Sequence, residues 1–255
     1  PNQAHFAALK AAVAAGKHVF CEKPLALNED ELQEIEQALV ETVEEGAAPL
    51  LMVGFNRRFA PFARQLQAFL AGRAEPLSAH YRVNAGFIPL SHWVHDPDQG
   101  GGRLIGEGCH FIDFLTFLVG SPPLSVSAVG LPDGGRYRED NLSLTFTFSD
   151  GSLGTLSYLA NGDKSFSKER VEVFCAGRVA VLDDYRSLEL VQQGSRRVQR
   201  ARLRQDKGHA AEWQAFSAAL LAGGPPPIPY EHLFGVTRAS FAAVQALRSG
   251  KTIKI

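Results

Sequence analysis

His18-Val19-Phe20-Cys21-Glu22-Lys23-Pro24 reads as a short apolar strand that ends in a lysine. In an open α/β sheet, ligands bind along the edge formed by the carboxyl ends of the parallel strands, so a cation delivered there is a catalytic group in waiting. The same residues also suit a solvated lysine in an ordinary strand-to-helix loop, and Lys23-Pro24 is a candidate cis peptide. Before the strand, Ala4 to Ala15 has helical character and meets a C-cap glycine at Gly16. After it, a helix is expected from Glu29 to Glu45. Asn28 with Glu31 three residues later has capping-box logic, and Leu32, Ile35, Leu39 and Val43 supply an apolar face. A second strand at Leu50 to Phe55 completes a helix-strand-helix-strand order that predicts a parallel sheet. Ahead of Lys23 there is room for one helix only. The expectation is therefore a doubly wound domain entered midway, with about 70 to 80 residues of its first half outside the chain. Pro1 in place of an initiator methionine points the same way.

Past Asn56 the pattern changes. A helix at Pro61 to Ala71 precedes β-branched or alternating runs at Ser78 to Val83, Ser125 to Val129, Leu142 to Phe148, Ser152 to Tyr158, Glu169 to Cys175, Val179 to Asp183 and Ser187 to Val191. Turn signals such as Asp150-Gly151 and Asn161-Gly162 separate many of them, which predicts a largely antiparallel sheet. Helices are expected at His110 to Val119, His209 to Leu221 and Glu231 to Arg248, each closed by glycine. The fold class that follows is α/β plus α+β. Residues 1–56 form a partial Rossmann-like parallel sheet, and residues 57–255 a large, mainly antiparallel open sheet domain flanked by helices. One face of such a sheet needs a cover, either helices or a second subunit, so a homo-oligomer, dimer or tetramer, built through the sheet is expected.

Composition bounds the partners. The 26 Lys and Arg offset 27 Asp and Glu, leaving no field to attract nucleic acid or an anionic membrane. The densest basic stretch, Arg196 to Arg204, reads as a strand with one solvated face, Arg200, Arg202 and Arg204 alternating with apolar residues. No apolar run reaches the roughly 18 residues of a membrane span, and no signal-peptide pattern opens the chain. Three scattered cysteines imply neither a disulfide framework nor a zinc motif, so a reducing, cytoplasmic setting and no metal are expected. Cys109, beside His110, is the one cysteine to test for reactivity. Trp213, spaced with Phe216 and Leu220 on a helix, is expected in the core.

Context for Lys23 comes from Gly100-Gly101-Gly102-Arg103-Leu104-Ile105-Gly106-Glu107-Gly108-Cys109-His110-Phe111-Ile112-Asp113. Its glycines allow close backbone approach to a ligand, and the histidine lies where a helix is expected to begin. Together the lysine tripeptide and this segment resemble the Gfo/Idh/MocA family of NAD(P)-dependent sugar and polyol oxidoreductases. Pro1-Asn2 with His5 is similar to the family's loop after the fourth strand, and Gly54-Phe55-Asn56-Arg57-Arg58-Phe59 to its interdomain junction. The segments Tyr81 to Gly86, His92 to Pro97 and Asp206-Lys207-Gly208-His209 resemble a subgroup often fused behind an alcohol-dehydrogenase-like domain. The resemblance covers nearly the whole chain.

What the resemblance implies is an oxidoreductase that moves a hydride between NAD or NADP and a hydroxyl-bearing carbon of a sugar, nucleotide sugar or cyclitol. It places Pro1, Asn2, His5, Glu22, Lys23 and Arg57 at the nicotinamide end of the cofactor. No strand followed by G-x-G-x-x-G precedes Lys23, so the pyrophosphate grip is expected to be missing, cofactor binding by this chain impaired and the chain inactive alone. The resemblance makes Lys23 and His110 the catalytic pair, the histidine as acid/base and the lysine as partner to developing negative charge. Where many members carry an aspartate four residues before the histidine, this chain has Gly106; Glu107 either substitutes for that aspartate in the catalytic set or caps the following helix. Asp113, inside the helix, reads as structural. Asn84, Trp93, His95 and Lys207 are the substrate candidates, since sugar hydroxyls need amide and charged partners and a ring suits an aromatic face. Two other functions fit the same residues: an NAD-assisted glycoside hydrolase using a carboxylate such as Glu107, and a non-catalytic oligomerising or binding module.

Overall fold

Two sheets organise the chain, a small parallel one and a large, mostly antiparallel one. The computed structural model describes residues 2–44, 49–202 and 204–255. Helix α1 (Ala4–Ala14) leads into β1 (Val19–Cys21), and α2 (Glu29–Glu44) crosses over to β2 (Leu51–Val53), which pairs parallel with β1 in the register Val19 to Leu51. The cap of α2 forms as expected at one end: Asn28 Oδ1 accepts from the Glu31 N–H at 2.9 Å, while the Glu31 carboxylate reaches back to the Leu27 N–H. Its buried stripe is Leu32, Ile35, Ala38, Leu39 and Thr42, so Val43 falls outside and is exposed. Thr42 enters the core because its hydroxyl is satisfied within it, donating to the Ala38 and Val13 carbonyls.

A 3-10 turn at Asn56–Phe59 and α3 (Pro61–Leu70), with proline in its first turn, lead into the large sheet. Its strands are β3 (Ser78–Asn84), β4 (Ser125–Gly130), β5 (Asn141–Thr147), β6 (Leu153–Leu159), β7 (Glu169–Cys175), β8 (Arg178–Asp183), β9 (Ser187–Gln192), β10 (Ser195–Arg200) and β11 (Ile253–Lys254). They lie in the order β10-β9-β8-β7-β3-β6-β5-β4-β11; all neighbours are antiparallel except β3 and β6. β11 is a two-residue edge strand that carries no pattern of its own in the sequence. β10 ends at Arg200, so Arg202 and Arg204 lie beyond the strand face expected to carry them.

Alternation along the strands splits the sheet into two faces. Tyr81, Val83, Leu142, Leu144, Phe146, Leu156, Tyr158, Val171, Val173 and Leu182 point into the core, which α4 (Cys109–Val119) and α6 (Tyr230–Ser249) cover toward β4 and β6 and α3 covers at β8 and β9. Every residue of α4 is buried, and the helix is apolar nearly all round as a central helix must be. The opposite sheet face carries Ser143, Thr145, Thr155, Ser157 and Arg170. The C-terminal helices also return to the small sheet: α5 (His209–Ala222) sets Phe216 against Phe20, and the Tyr230 hydroxyl donates to Pro49 O and accepts from the Leu51 N–H. Residues of both sheets therefore join one hydrophobic core. Trp213 does not enter it; the ring is 56% exposed and lies edge-on to Phe20. No helix among the described residues is long and apolar enough to cross a membrane.

Two buried ion pairs pin the junction. Arg58 reaches both oxygens of Asp113, with the pair almost wholly buried, and Arg57 reaches both oxygens of Glu169 at 2.7 and 3.1 Å. Consecutive arginines on one short turn thus hold α4 and β7 together. Gly208 completes the joint: its φ is +89°, and an added Cβ would lie 2.5 Å from Asn56 O and Ala60 N. Gly208→Ala combines left-handed strain with a backbone collision, and is expected to lower stability by more than about 2 kcal/mol in a urea melt.

Candidate active site

Lys23 leaves the end of β1 through a cis peptide to Pro24, and its ammonium donates to the Gly106 carbonyl at 2.6 Å. Gly106 lies in a π-helical turn, Leu104–Gly108, that runs without a break into α4. The helix thus begins well before His110, because Leu104 and Ile105 are buried and Gly108 leaves room for the Leu104 side chain. His110 is 7% exposed, edge-on to Phe55, and its Nδ1 is buried without a partner. Burial, then the charges of Arg57, Lys23, Lys168 and His209, push the imidazole well below the usual histidine range, so it is neutral at physiological pH.

The continuous helix leaves Glu107 no terminus to cap. Its Oε1 accepts from Lys168 Nζ at 2.7 Å, and its Oε2 from the Tyr158 hydroxyl and from Arg103 at 3.3 Å. His110 is not among its described partners. Burial works to protonate this carboxyl, but the Lys168 charge and hydrogen bond, Tyr158 and Arg103 override it and hold the pKa at about 2.

The residues expected at the cofactor divide. Asn2 donates to Gly100 O at 2.9 Å, His5 Nδ1 lies 3.2 Å from Pro24 O, and the exposed Glu22 leans over Gly54, so all three line the approach to Lys23. Pro1 lies outside the described residues. Arg57, expected to reach the cofactor, is instead 6% exposed, occupied by Glu169 and stacked over the Phe111 ring.

The substrate candidates divide too. Trp93 is 40% exposed, whereas Asn84 donates to Asp163 O and Phe166 O and His95 is buried with Nε2 at Ile88 O. Lys207 is drawn inward to Glu169 and so supports the junction.

Residues the sequence does not flag stand at the same place. Lys168, Tyr158 and Arg103 surround Glu107, while Glu212, in the first turn of α5, is 5% exposed with Oε1 unpartnered. Burial, then the charges of Glu22 and Asp113, raise the Glu212 carboxyl to about 8 against the pull of Arg57. A carboxyl with a raised folded-state pKa burdens the fold above its unfolded value of roughly 4.3, and the burden grows until about pH 8. Glu212→Gln is therefore expected to stabilise the chain at pH 7 by about 3 kcal/mol and to change nothing at pH 4, as read by denaturant melts at both pH values.

Cys109 is 2% exposed, and burial above all pushes its thiol to about 12. It is a core residue, and iodoacetamide is expected to label it only after unfolding. Among the described residues no group of three or more His, Cys, Asp or Glu is placed to hold a metal ion.

Comparison with known proteins places this geometry. Residues 1–55 match the family model described as an oxidoreductase family with NAD-binding Rossmann fold, and residues 66–179 the GFO/IDH/MocA C-terminal domain. The chain is 28% identical over 191 residues to the uncharacterized oxidoreductase YrbE of Bacillus subtilis, covering 73% of this chain and 54% of that protein. It is 34% identical over 150 residues to inositol 2-dehydrogenase 2 of Saccharopolyspora erythraea (57% and 41%), and 26% identical over 260 residues to myo-inositol 2-dehydrogenase of Thermotoga maritima (96% and 75%). The chain spans about half the length of the first two of these relatives. Among solved structures, levoglucosan dehydrogenase in complex with NADH and levoglucosan superposes with a TM-score of 0.83 at 21% identity, over 100% of this chain and 78% of that one. Aldose-aldose oxidoreductase from Caulobacter crescentus, complexed with glycerol, gives 0.81 at 21% identity, over 100% and 77%. The strand-end lysine falls in the first matched stretch and the helix bearing His110 in the second, and the chain belongs to the GFO/IDH/MocA family of oxidoreductases.

Proposed function

We propose that this site belongs to an NAD(P)-dependent dehydrogenase acting on a hydroxyl-bearing carbon of a sugar, nucleotide sugar or cyclitol. The observation that carries the reading is the convergence of Lys23 and a neutral His110 on one helical turn, the ammonium bonded to the carbonyl four residues before the imidazole. Neutral imidazole is the form that accepts a proton, so His110 takes the substrate hydroxyl proton as the carbon is oxidised. Lys23 spends one of its three N–H donors on Gly106, which leaves two for the alcohol oxygen as negative charge develops there.

The unpartnered Nδ1 of His110 and the exposed Glu22 beside Lys23 fit a nicotinamide ring at the strand ends. Asn2, His5, Glu22 and Lys23 would hold that end. Bound NAD(P) would supply the hydride acceptor. Among the described residues no glycine-rich pyrophosphate turn follows β1 or β2, so the affinity of these residues alone is expected to be low. Saturation-transfer NMR with NADH tests this: the nicotinamide protons should receive more saturation than the adenine protons, and adenine-centred contact would contradict the assignment.

We also assign the polar outer face of the large sheet, with Ser143, Thr145, Thr155 and Ser157 at its centre, to contact with a second copy of the chain. Light scattering at micromolar concentration should then give a multiple of 27.7 kDa, and a monomer mass would contradict it.

A further inference from the structure

We propose that Lys168 and Glu107 form a clamp for a neutral vicinal diol next to the carbon that is oxidised. This rests on the dehydrogenase reading for the position of the reacting carbon. Glu107 precedes His110 by three residues on one continuous helical run, the π-helical turn Leu104–Gly108 leading into α4, so the two backbone positions lie within about 5 Å of each other along the axis. Lys168 lies close enough to His110 to share in depressing its basicity.

The pair is held from behind. Arg103 (2% exposed) and the fully buried Tyr158 fix Glu107 Oε2, while Lys168 is placed at the mouth of β7 by its own carbonyl, which accepts the Asn84 N–H at 2.7 Å. Both working groups remain open to solvent, Lys168 at 41% and Glu107 at 21%.

Counting donors and acceptors then names the ligand. An ammonium has three donors, and Glu107 takes one. A carboxylate has about four acceptor sites; Lys168, Tyr158 and Arg103 take three and leave one on Oε1. The clamp therefore offers two donors and one acceptor. Adjacent hydroxyls match this, each oxygen accepting from Lys168 and one O–H donating to Glu107. A carboxylate or phosphate has no proton to give and meets the Glu107 charge, so an anionic group is excluded from the clamp itself.

The test is cofactor-free binding by saturation-transfer NMR at pH 7, with myo-inositol, cyclohexanol and glucuronate as probes. Lys168→Met should weaken myo-inositol at least about tenfold, equivalent to about 1.4 kcal/mol. It should leave cyclohexanol, which has no second hydroxyl, unchanged. Glu107→Gln should let glucuronate bind more tightly than it does to the wild-type chain, a gain that loss of structure does not produce. Equal myo-inositol binding by wild type and Lys168→Met, wild-type preference for glucuronate, or no myo-inositol binding at all overturns the clamp. Because the readout is binding, a chain that holds the diol and transfers no hydride would sink the proposed reaction and leave the clamp standing.

Discussion

If the proposed reaction holds, His110→Ala, assayed in a form of the protein that binds NAD(P), is expected to lower kcat for polyol oxidation by about 10²- to 10⁴-fold, the range supplied by a positioned acid/base. KM should change far less, because the imidazole acts on the proton in flight. Lys23→Ala should cost about 10²- to 10³-fold, as expected for a donor aimed at developing oxyanion charge. The pH profile separates these variants from mere structural damage. A base must be unprotonated to act, and burial followed by Arg57, Lys23, Lys168 and His209 holds His110 neutral to well below its usual pKa. The acid limb of kcat/KM should therefore lie well below pH 6.5 in the wild-type chain. Removing Lys23 takes away one of the charges that depress it, so the limb should move upward. Steady-state assays across pH 4 to 9 in overlapping buffers read both effects. An acid limb at or above the usual histidine pKa would contradict the electrostatic account.

Glu169→Ala is expected to destabilise the chain by about 3–5 kcal/mol, the cost of breaking a buried ion pair at one partner. It leaves Arg57 buried with its guanidinium unpaired, and also strips Lys207 Nζ and the Tyr81 hydroxyl of their shared acceptor. The same group shapes acid stability. Burial raises its pKa, but the charge and hydrogen bonds of Arg57, with Lys207, dominate and hold it at about 2. Its folded-state pKa is thus depressed, so its contribution is complete above the unfolded value of roughly 4.3 and is lost as pH falls toward 2. The amount is about 3 kcal/mol, carried by a side chain only 1% exposed. Denaturant melts at pH 7, 4 and 2.5 measure it: the gap between wild type and Glu169→Ala should narrow at the lowest pH, and a constant gap would contradict the linkage.

How much of this was legible in the sequence depended on how local the cause was. The strand just before Lys23, the Asn28 cap and the glycine stop at Gly120 are set by neighbouring residues, and they form where the pattern puts them. The start of α4 is different. His110 reads as the start of the helix, yet the burial of Leu104 and Ile105 winds the preceding residues into a π-helical turn, and that moves Glu107 off the helix terminus. The partners of Glu107 lie 4, 51 and 61 residues away in the chain, so only the pairing of β3 with β6 and β7 brings Tyr158 and Lys168 to it. Glu212 carried a weak signal: it stands three residues after His209, one turn beyond Asp206-Lys207-Gly208-His209. Arg57 and Lys207 mislead for the opposite reason. A cation near a junction suggests a ligand, but the acceptor that claims both, Glu169, is more than 35 residues from either.

In the proposed reaction Lys23 and His110 act as one unit on the same oxygen. The decisive measurement is a double-mutant cycle of Lys23→Ala and His110→Ala in a form of the protein that binds NAD+, read as the single-turnover rate of hydride transfer from myo-inositol. Strong non-additivity is expected, the double variant falling no more than about tenfold below the slower single variant. Losses that multiply in full, or near-normal rates in either single variant, would contradict it.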